Sequence, residues 1–246
     1  MTKNISAEAF TEKLYTLQSP EELVKIQRYF KSGAGQYGEG DVFIGVRMGS
    51  LFSLAKEFIQ MSTDELEKLL ESPVHELRTG ALSIMNQQAR NNKTSENNRK
   101  ALYDLYLRRH DRINNWDLVD ISCMYVIGRY LNDKPRDILY QLAVSDNIWE
   151  RRTAIVSTGY FLKNRDLDDT FHIAEILLND TQDLIHKAAG GWLRQAGKSD
   201  QVRLISFLDR YASTMPRTLL RYAIEHLSDQ KRKYYLALKK TDNEAS

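Results

Sequence analysis

The stretch STDELEKLLESPVHELRTGALSIMNQQARN, residues 62–91, decides the fold. Ser62-Thr63-Asp64-Glu65 is a capping box, a serine able to accept from the backbone at a helix start with a glutamate three residues on. Behind it, in ELEKLLES, apolar residues recur at the i, i+3, i+4 spacing that gathers them on one helix face. The stretch reads as a helical hairpin, 62–72 paired with 74–91.

The same unit recurs along the chain. Residues 97–110 pair with 115–132, 135–144 with 147–164, 168–179 with 181–197, and 201–212 with 216–228. First helices thus begin at 62, 97, 135, 168 and 201, at intervals of 35, 38, 33 and 33 residues. Further start signals are Ser19-Pro20-Glu21-Glu22 and Asn147 with Glu150, and only four prolines interrupt the chain. No alternating run bounded by turn signals makes a strand. A hairpin repeated at this period buries its apolar face by stacking on its neighbours, which a single irregular bundle leaves unexplained. The expectation is an all-α protein, an α-solenoid of HEAT-like repeats forming a curved superhelix with a basic concave groove. It is expected as one domain over 1–246: capping helices in 1–60, five pairs over 62–228, and a disordered tail at 240–246.

Composition narrows the function classes. With 42% hydrophobic and 28% charged residues, 246 residues can bury a sizeable core. The single cysteine, Cys123, excludes an internal disulfide framework and a Cys-based zinc site, which fits a reducing, cytoplasmic setting. MTKNISAEAF lacks the apolar core of a signal peptide, and no apolar run approaches a membrane span. A net charge of +2 does not by itself announce a nucleic-acid partner, so any basic surface must come from placement.

Placement is where the second helices become informative. Each carries a charged residue, any residue, then a small one: Arg78-Thr79-Gly80, Asp120-Ile121-Ser122, Arg152-Thr153-Ala154, Lys187-Ala188-Ala189 and Arg221-Tyr222-Ala223. In a solenoid such helices line one face, so the pattern reads as a groove with a basic rung on nearly every repeat, suited to a phosphate backbone. Ordinary interhelical ion pairs would give the same residues. Asp120 is the odd rung, and a carboxylate among phosphate-binding cations needs something positive to face. In INNWDLVDIS, residues 113–122, Asp117 falls in the first helical turn after Asn115, where the helix dipole explains an acid. Asp120 is a turn further on, with Trp116 one turn before it on the same side, a pairing that suits a planar cation.

Other motifs lead nowhere. GAGQYG at 33–38 matches a dinucleotide-binding pattern, yet a helix precedes it and no βαβ unit follows. His75-Glu76 lacks the second histidine of a zinc-protease motif, so no metal site is expected. For Cys123 the sequence offers no convincing histidine partner, and it reads as a buried small apolar residue.

RYFKSGAGQYGEGDVFIGVR, NNWDLVDIS, SDNIWERRTAI, HKAAGGWLRQAGK and LLRYAIEHLS together resemble the AlkD-like DNA alkylation repair proteins, HEAT-like solenoids that include glycosylases for N3- and N7-alkylpurines. The likeness runs from about residue 22 to 228. It implies that Asp120 is the catalytic carboxylate, Trp116 the aromatic beside it, and Arg152 the basic residue holding DNA near the lesion. Tyr29 falls where the family has a tyrosine near the cleft, and Arg78, Lys187, Arg194 and Arg221 complete the DNA-binding set. The partner implied is double-stranded DNA with alkylated bases, bound by a monomer needing no cofactor. Two rivals stand beside this reading: a non-catalytic binder of DNA structure and a protein-interaction scaffold. One departure is visible. In HKAAGGWLRQ the family pattern has a tryptophan directly after Gly190, where this chain has Gly191 and places the indole at Trp192. One residue turns a helix by about 100°, so Trp192 is expected between helices and Gly191 on the groove line with Lys187.

Overall fold

Ser62 caps its helix as the sequence requires, its hydroxyl accepting from Glu65 N at 3.4 Å. The computed structural model describes residues 4–30, 33, 35, 36 and 38–238. The expected tail at 240–246, and Ala34 and Tyr37 of the GAGQYG stretch, lie outside the described residues. The described residues are helical apart from loops and one isolated bridge, Val42 with Val74. They fall into two compact units, one ending at Tyr130 and the other beginning at Leu131.

The first unit holds α1 (Ala7–Tyr15), α2 (Pro20–Phe30), α3 (Met48–Glu57), α4 (Thr63–Leu70), α5 (His75–Arg90), α6 (Glu96–Arg108) and α7 (Trp116–Cys123). Leu66, Leu69 and Leu70 of α4 and Leu82, Ile84 and Met85 of α5 are fully buried, so the first hairpin closes on its apolar stripe. α5 packs on α3 and on α7, the stacking of successive second helices that a repeat array requires. On another side of α5, Gly80 makes room for α1: a β-carbon there would stand 2.5 Å from Phe10 Cζ.

The second unit holds α8 (Asp137–Ala143), α9 (Ile148–Ser157), α10 (Asp168–Ile176), α11 (Asp183–Ser199), α12 (Gln201–Tyr211), α13 (Arg217–Ala223) and α14 (Asp229–Ala237). α11 packs on α9 and, most extensively, on α13, where a β-carbon at Gly190 would stand 2.7 Å from Tyr222 Cβ. First helices begin at 63, 96, 137, 168 and 201, close to the expected positions.

Two second helices depart from the expectation of unbroken α-helix. After Cys123 the chain passes into a π turn, Met124–Gly128, in which Arg129 N reaches back to Met124 O at 3.1 Å, followed by a tighter 3-10 turn at Tyr130–Asp133. After Ser157 it tightens to a 3-10 segment, Thr158–Asn164, that ends on Arg165 with φ of 57°. α14 has no counterpart among the expected helices.

Candidate active site

Gly45 is where the site begins. It takes φ of 82°, open to glycine at little cost, and a β-carbon there would collide with Ser19 and Leu23 at the start of α2. Its carbonyl accepts from Ser19 N at 2.9 Å, while Ile44, Gly45 and Val46 donate their N–H groups to the buried Glu76 carboxylate at 3.1, 2.8 and 3.3 Å. The 41–46 loop is thereby fastened to α2 on one side and to the first turn of α5 on the other.

That fastening delivers Asp41 into a buried polar cluster. Asp41 accepts from Arg78 Nη2 at 2.5 Å, from Asn114 at 3.2 Å and from Asn115 at 3.1 Å, and it meets His75 Nδ1 at 3.2 Å. The other nitrogen of His75 meets Asp117 at 2.8 Å. Burial pushes the Asp41 carboxyl upward, but the His75 hydrogen bond and the Arg78 charge outweigh it and hold the group at about 2. Burial pulls His75 downward, and the Asp117 charge and hydrogen bond, joined by Asp41, raise it to about 9. His75 is therefore an imidazolium at neutral pH. Asp117, expected as a helix-dipole acid, is in the first turn of α7 and buried, with this ion pair as its main contact.

Above the cluster the aromatic side chains stack. Phe43 lies on Phe30 with ring centres 5.2 Å apart, Phe30 lies on Trp116 at 5.7 Å, and Tyr29 meets Trp116 edge-on at 5.7 Å. Tyr29 is 64% exposed and Trp116 partly so. Asn115 caps α7, accepting from Trp116 N at 2.8 Å, and Asp120 stands exposed one turn beyond Trp116. Tyr29 thus touches Trp116, and Asp120 follows Trp116 by one turn of α7: a carboxylate and two π surfaces, groups that favour a cationic ligand.

The basic rungs divide. Arg78 is not a groove residue: it is 2% exposed, its guanidinium spent on Asp41, Asn114 and the Ser72 and Pro73 carbonyls. Those carbonyls follow the end of α4 and need donors, which a long side chain on the next helix supplies. Arg152, in the second unit, is 8% exposed and donates Nη1 to Leu184 O at 2.7 Å. Lys187 is exposed and paired with Asp183 at 2.7 Å, Arg194 pairs with Glu225, and Arg221 is exposed on α13. A β-carbon at Gly191 would meet nothing within 4 Å, whereas Trp192 presses on Gly159. The helix register read from the sequence holds there.

Sequence reasoning missed two cations. Lys56 and Arg90 line a depression of about 680 Å³ between α3, α5 and α7, which Ile121, the neighbour of Asp120, also lines. Arg90 lies 4.7 Å over the Tyr125 ring. A cation near the end of a helix is so common that spacing alone does not single it out.

The family model of DNA alkylation repair enzymes matches residues 10–227. The chain belongs to that family. Among solved structures it is similar to a predicted DNA alkylation repair enzyme from Enterococcus faecalis, with a TM-score of 0.68 and 18% identity over 86% of this chain and 97% of that one. That likeness bears out the all-α repeat fold. None of the curated proteins matches the chain. The AlkD-like resemblance read from the motifs is thus supported, and DNA is the substrate such a repair family acts on. No helix among the described residues is long and apolar enough to cross a membrane.

Proposed function

We propose that this member of the DNA alkylation repair family is a DNA glycosylase that hydrolyses the N-glycosidic bond of positively charged N3- and N7-alkylpurines in duplex DNA. The observation that carries the reading is the exposed Asp120 one turn from Trp116, whose ring is braced by Tyr29 and Phe30.

The chemistry follows from charge. As the glycosidic bond breaks, its electron pair neutralises the alkylpurine and leaves an oxocarbenium-like sugar. Asp120 stabilises that cation and orients the water whose oxygen bonds to the sugar and whose proton is released. Trp116 and Tyr29 offer π faces to the same positive charge. Lys56 and Arg90, and Lys187 and Arg221, are the exposed cations assigned to phosphates, with Arg194 beside them. The phosphate role of Arg152 rests on the family resemblance, its side chain being 8% exposed and donating Nη1 to Leu184 O. Because the leaving base is already cationic, the reading asks for no cofactor, and it places a monomeric enzyme in the cytoplasm.

The test is base release from duplex carrying N7-methylguanine, followed as abasic sites. Release by the wild-type protein and its loss in Asp120→Asn are the expected results. Tight duplex binding with no abasic sites would instead make the chain a non-catalytic DNA binder.

A further inference from the structure

We propose that His75, bridging Asp41 and Asp117, is a positioning residue of this site: it fixes where α7 begins, and so holds Trp116 against Tyr29 beside Asp120. The inference rests on the glycosylase reading for its catalytic consequence but not for its structural one.

Both ring nitrogens face carboxylate oxygens, Nδ1 toward Asp41 at 3.2 Å and Nε2 toward Asp117 at 2.8 Å. A neutral imidazole has one donor and one lone pair, so it would turn that lone pair onto an anion; the imidazolium donates to both. Among the described residues His75 is the one hydrogen-bond partner of the Asp117 carboxylate, whose other oxygen is buried and unbonded. Asp117 therefore depends on the charge of His75 for compensation in a dry setting.

Asp41 doubles the hold. It accepts from Asn115 as well as meeting His75, and Asn115 is the cap whose side chain accepts from Trp116 N. The start of α7 is thus gripped at its cap through Asp41 and at its first turn through Asp117, with His75 touching both acids. The ring also packs on Phe30 at 5.0 Å and Phe43 at 4.8 Å between centres, and Phe30 is the ring on which Trp116 stacks. The groups facing His75 are accordingly Asp41 from the loop, Asp117 from α7, Arg78 of its own helix through Asp41, and the Phe30 ring from α2. Arg112 adds a further positive charge acting on Arg78. Loss of the proton leaves two carboxylates across a neutral ring; Asp41 keeps its bonds from Arg78, Asn114 and Asn115, so the strain falls on Asp117 and the first turn of α7.

The experiment labels the full chain with 5-fluorotryptophan, whose three resonances follow the three tryptophans, the Trp116 line being assigned with Trp116→Phe. Between about pH 6 and pH 10 the Trp116 line should move with a midpoint near the His75 value of about 9, while the other two stay. His75→Gln should displace the Trp116 line at neutral pH and abolish its titration. In single-turnover release from N7-methylguanine duplex, corrected by a no-protein control at each pH, the wild-type rate should fall on the order of tenfold across the same window. His75→Gln should be slower by a similar factor and flat with pH, with duplex affinity unchanged. A Trp116 line that ignores pH in the folded wild-type protein would overturn the inference, a measurement that needs no variant to fold. Absence of release at every pH would overturn the glycosylase reading alone, leaving the fluorine titration to decide the positioning role.

Discussion

The ring of Trp192 fills the place that a β-carbon on Gly159 would need, joining α11 to the segment that follows α9. The contact is a packing contact within the second unit. Trp192→Ala should lower stability by about 3 kcal/mol through the cavity it opens. Gly159→Ala should cost roughly 1–3 kcal/mol by overpacking the same spot. Urea unfolding measures both, and a Trp192→Ala protein of unchanged stability would show that the indole is not wedged there.

Gly191 is the complement. Its β-carbon direction is open, so Gly191→Trp should fold, with no loss of thermal stability, because a helical glycine is replaced without a clash. It restores the aromatic that the family pattern has next to Gly190, and the release rate on N7-methylguanine duplex should rise. A folded variant with unchanged or slower release would separate this position from catalysis.

Asp120 and Asp117 should fail differently. Asp120 is exposed, so Asp120→Asn should keep the fold and duplex affinity while slowing release on the order of 100-fold or more. Asp117→Asn removes a buried partner of an imidazolium and should lower stability by about 3 kcal/mol. Circular dichroism melts beside single-turnover rates distinguish them; equal kinetic loss at equal stability would refute the division.

The arginine rungs make an analogous contrast. Arg78→Ala breaks a buried pair with Asp41 and should destabilise the first unit by about 3–5 kcal/mol. Neutralising Lys56, Arg90, Lys187 or Arg221 should leave stability nearly unchanged and flatten the salt dependence of duplex binding by about one charge each. Four unaltered salt slopes would show that none of these cations meets phosphate.

Stability should also depend on pH at both ends. The folded-state value of Asp41 is depressed to about 2, so its contribution is present above its ordinary value of 3.8 and is lost as pH falls toward 2. His75 is raised from 6.5 to about 9, so its contribution is complete below 6.5 and disappears as pH rises through 9, about 3 kcal/mol in all. Unfolding free energy that is flat between about pH 7 and pH 10 would contradict the charged His75.

The hairpin period was legible because each repeat must bury an apolar stripe, and stripes leave their spacing in the sequence. Trp116 and Asp120 were legible for a related reason, their four-residue separation on a capped helix. α14 was not: of its residues Tyr235 alone is buried, so no stripe announces it. The reading of the rungs failed at Arg78, where phase and reach diverge. In Arg78-Thr79-Gly80 the small residue does face inward, which predicts the arginine outward. A guanidinium on a long stem nevertheless bends back to backbone carbonyls, and periodicity carries no information about that. Asp41 lies in a loop without periodicity, and only the fold shows that it meets His75.

The π turn at Met124–Gly128 carries a consequence for chain length. A π turn closes its ring with one residue more than an α turn, so it stores a surplus residue directly after α7. The surplus gives Arg129 the phase from which its guanidinium reaches the carbonyls of Ala89 and Arg90 at 2.9 and 2.7 Å, closing the end of α5. Deleting one residue between 124 and 128 would relax the turn to ordinary α-helix, leave Trp116 and Asp120 upstream in register, and swing Arg129 away by about 100°. Length variation at this point is thus insulated from the carboxylate and the indole, and falls instead on the joint between α5 and the helix that bears them.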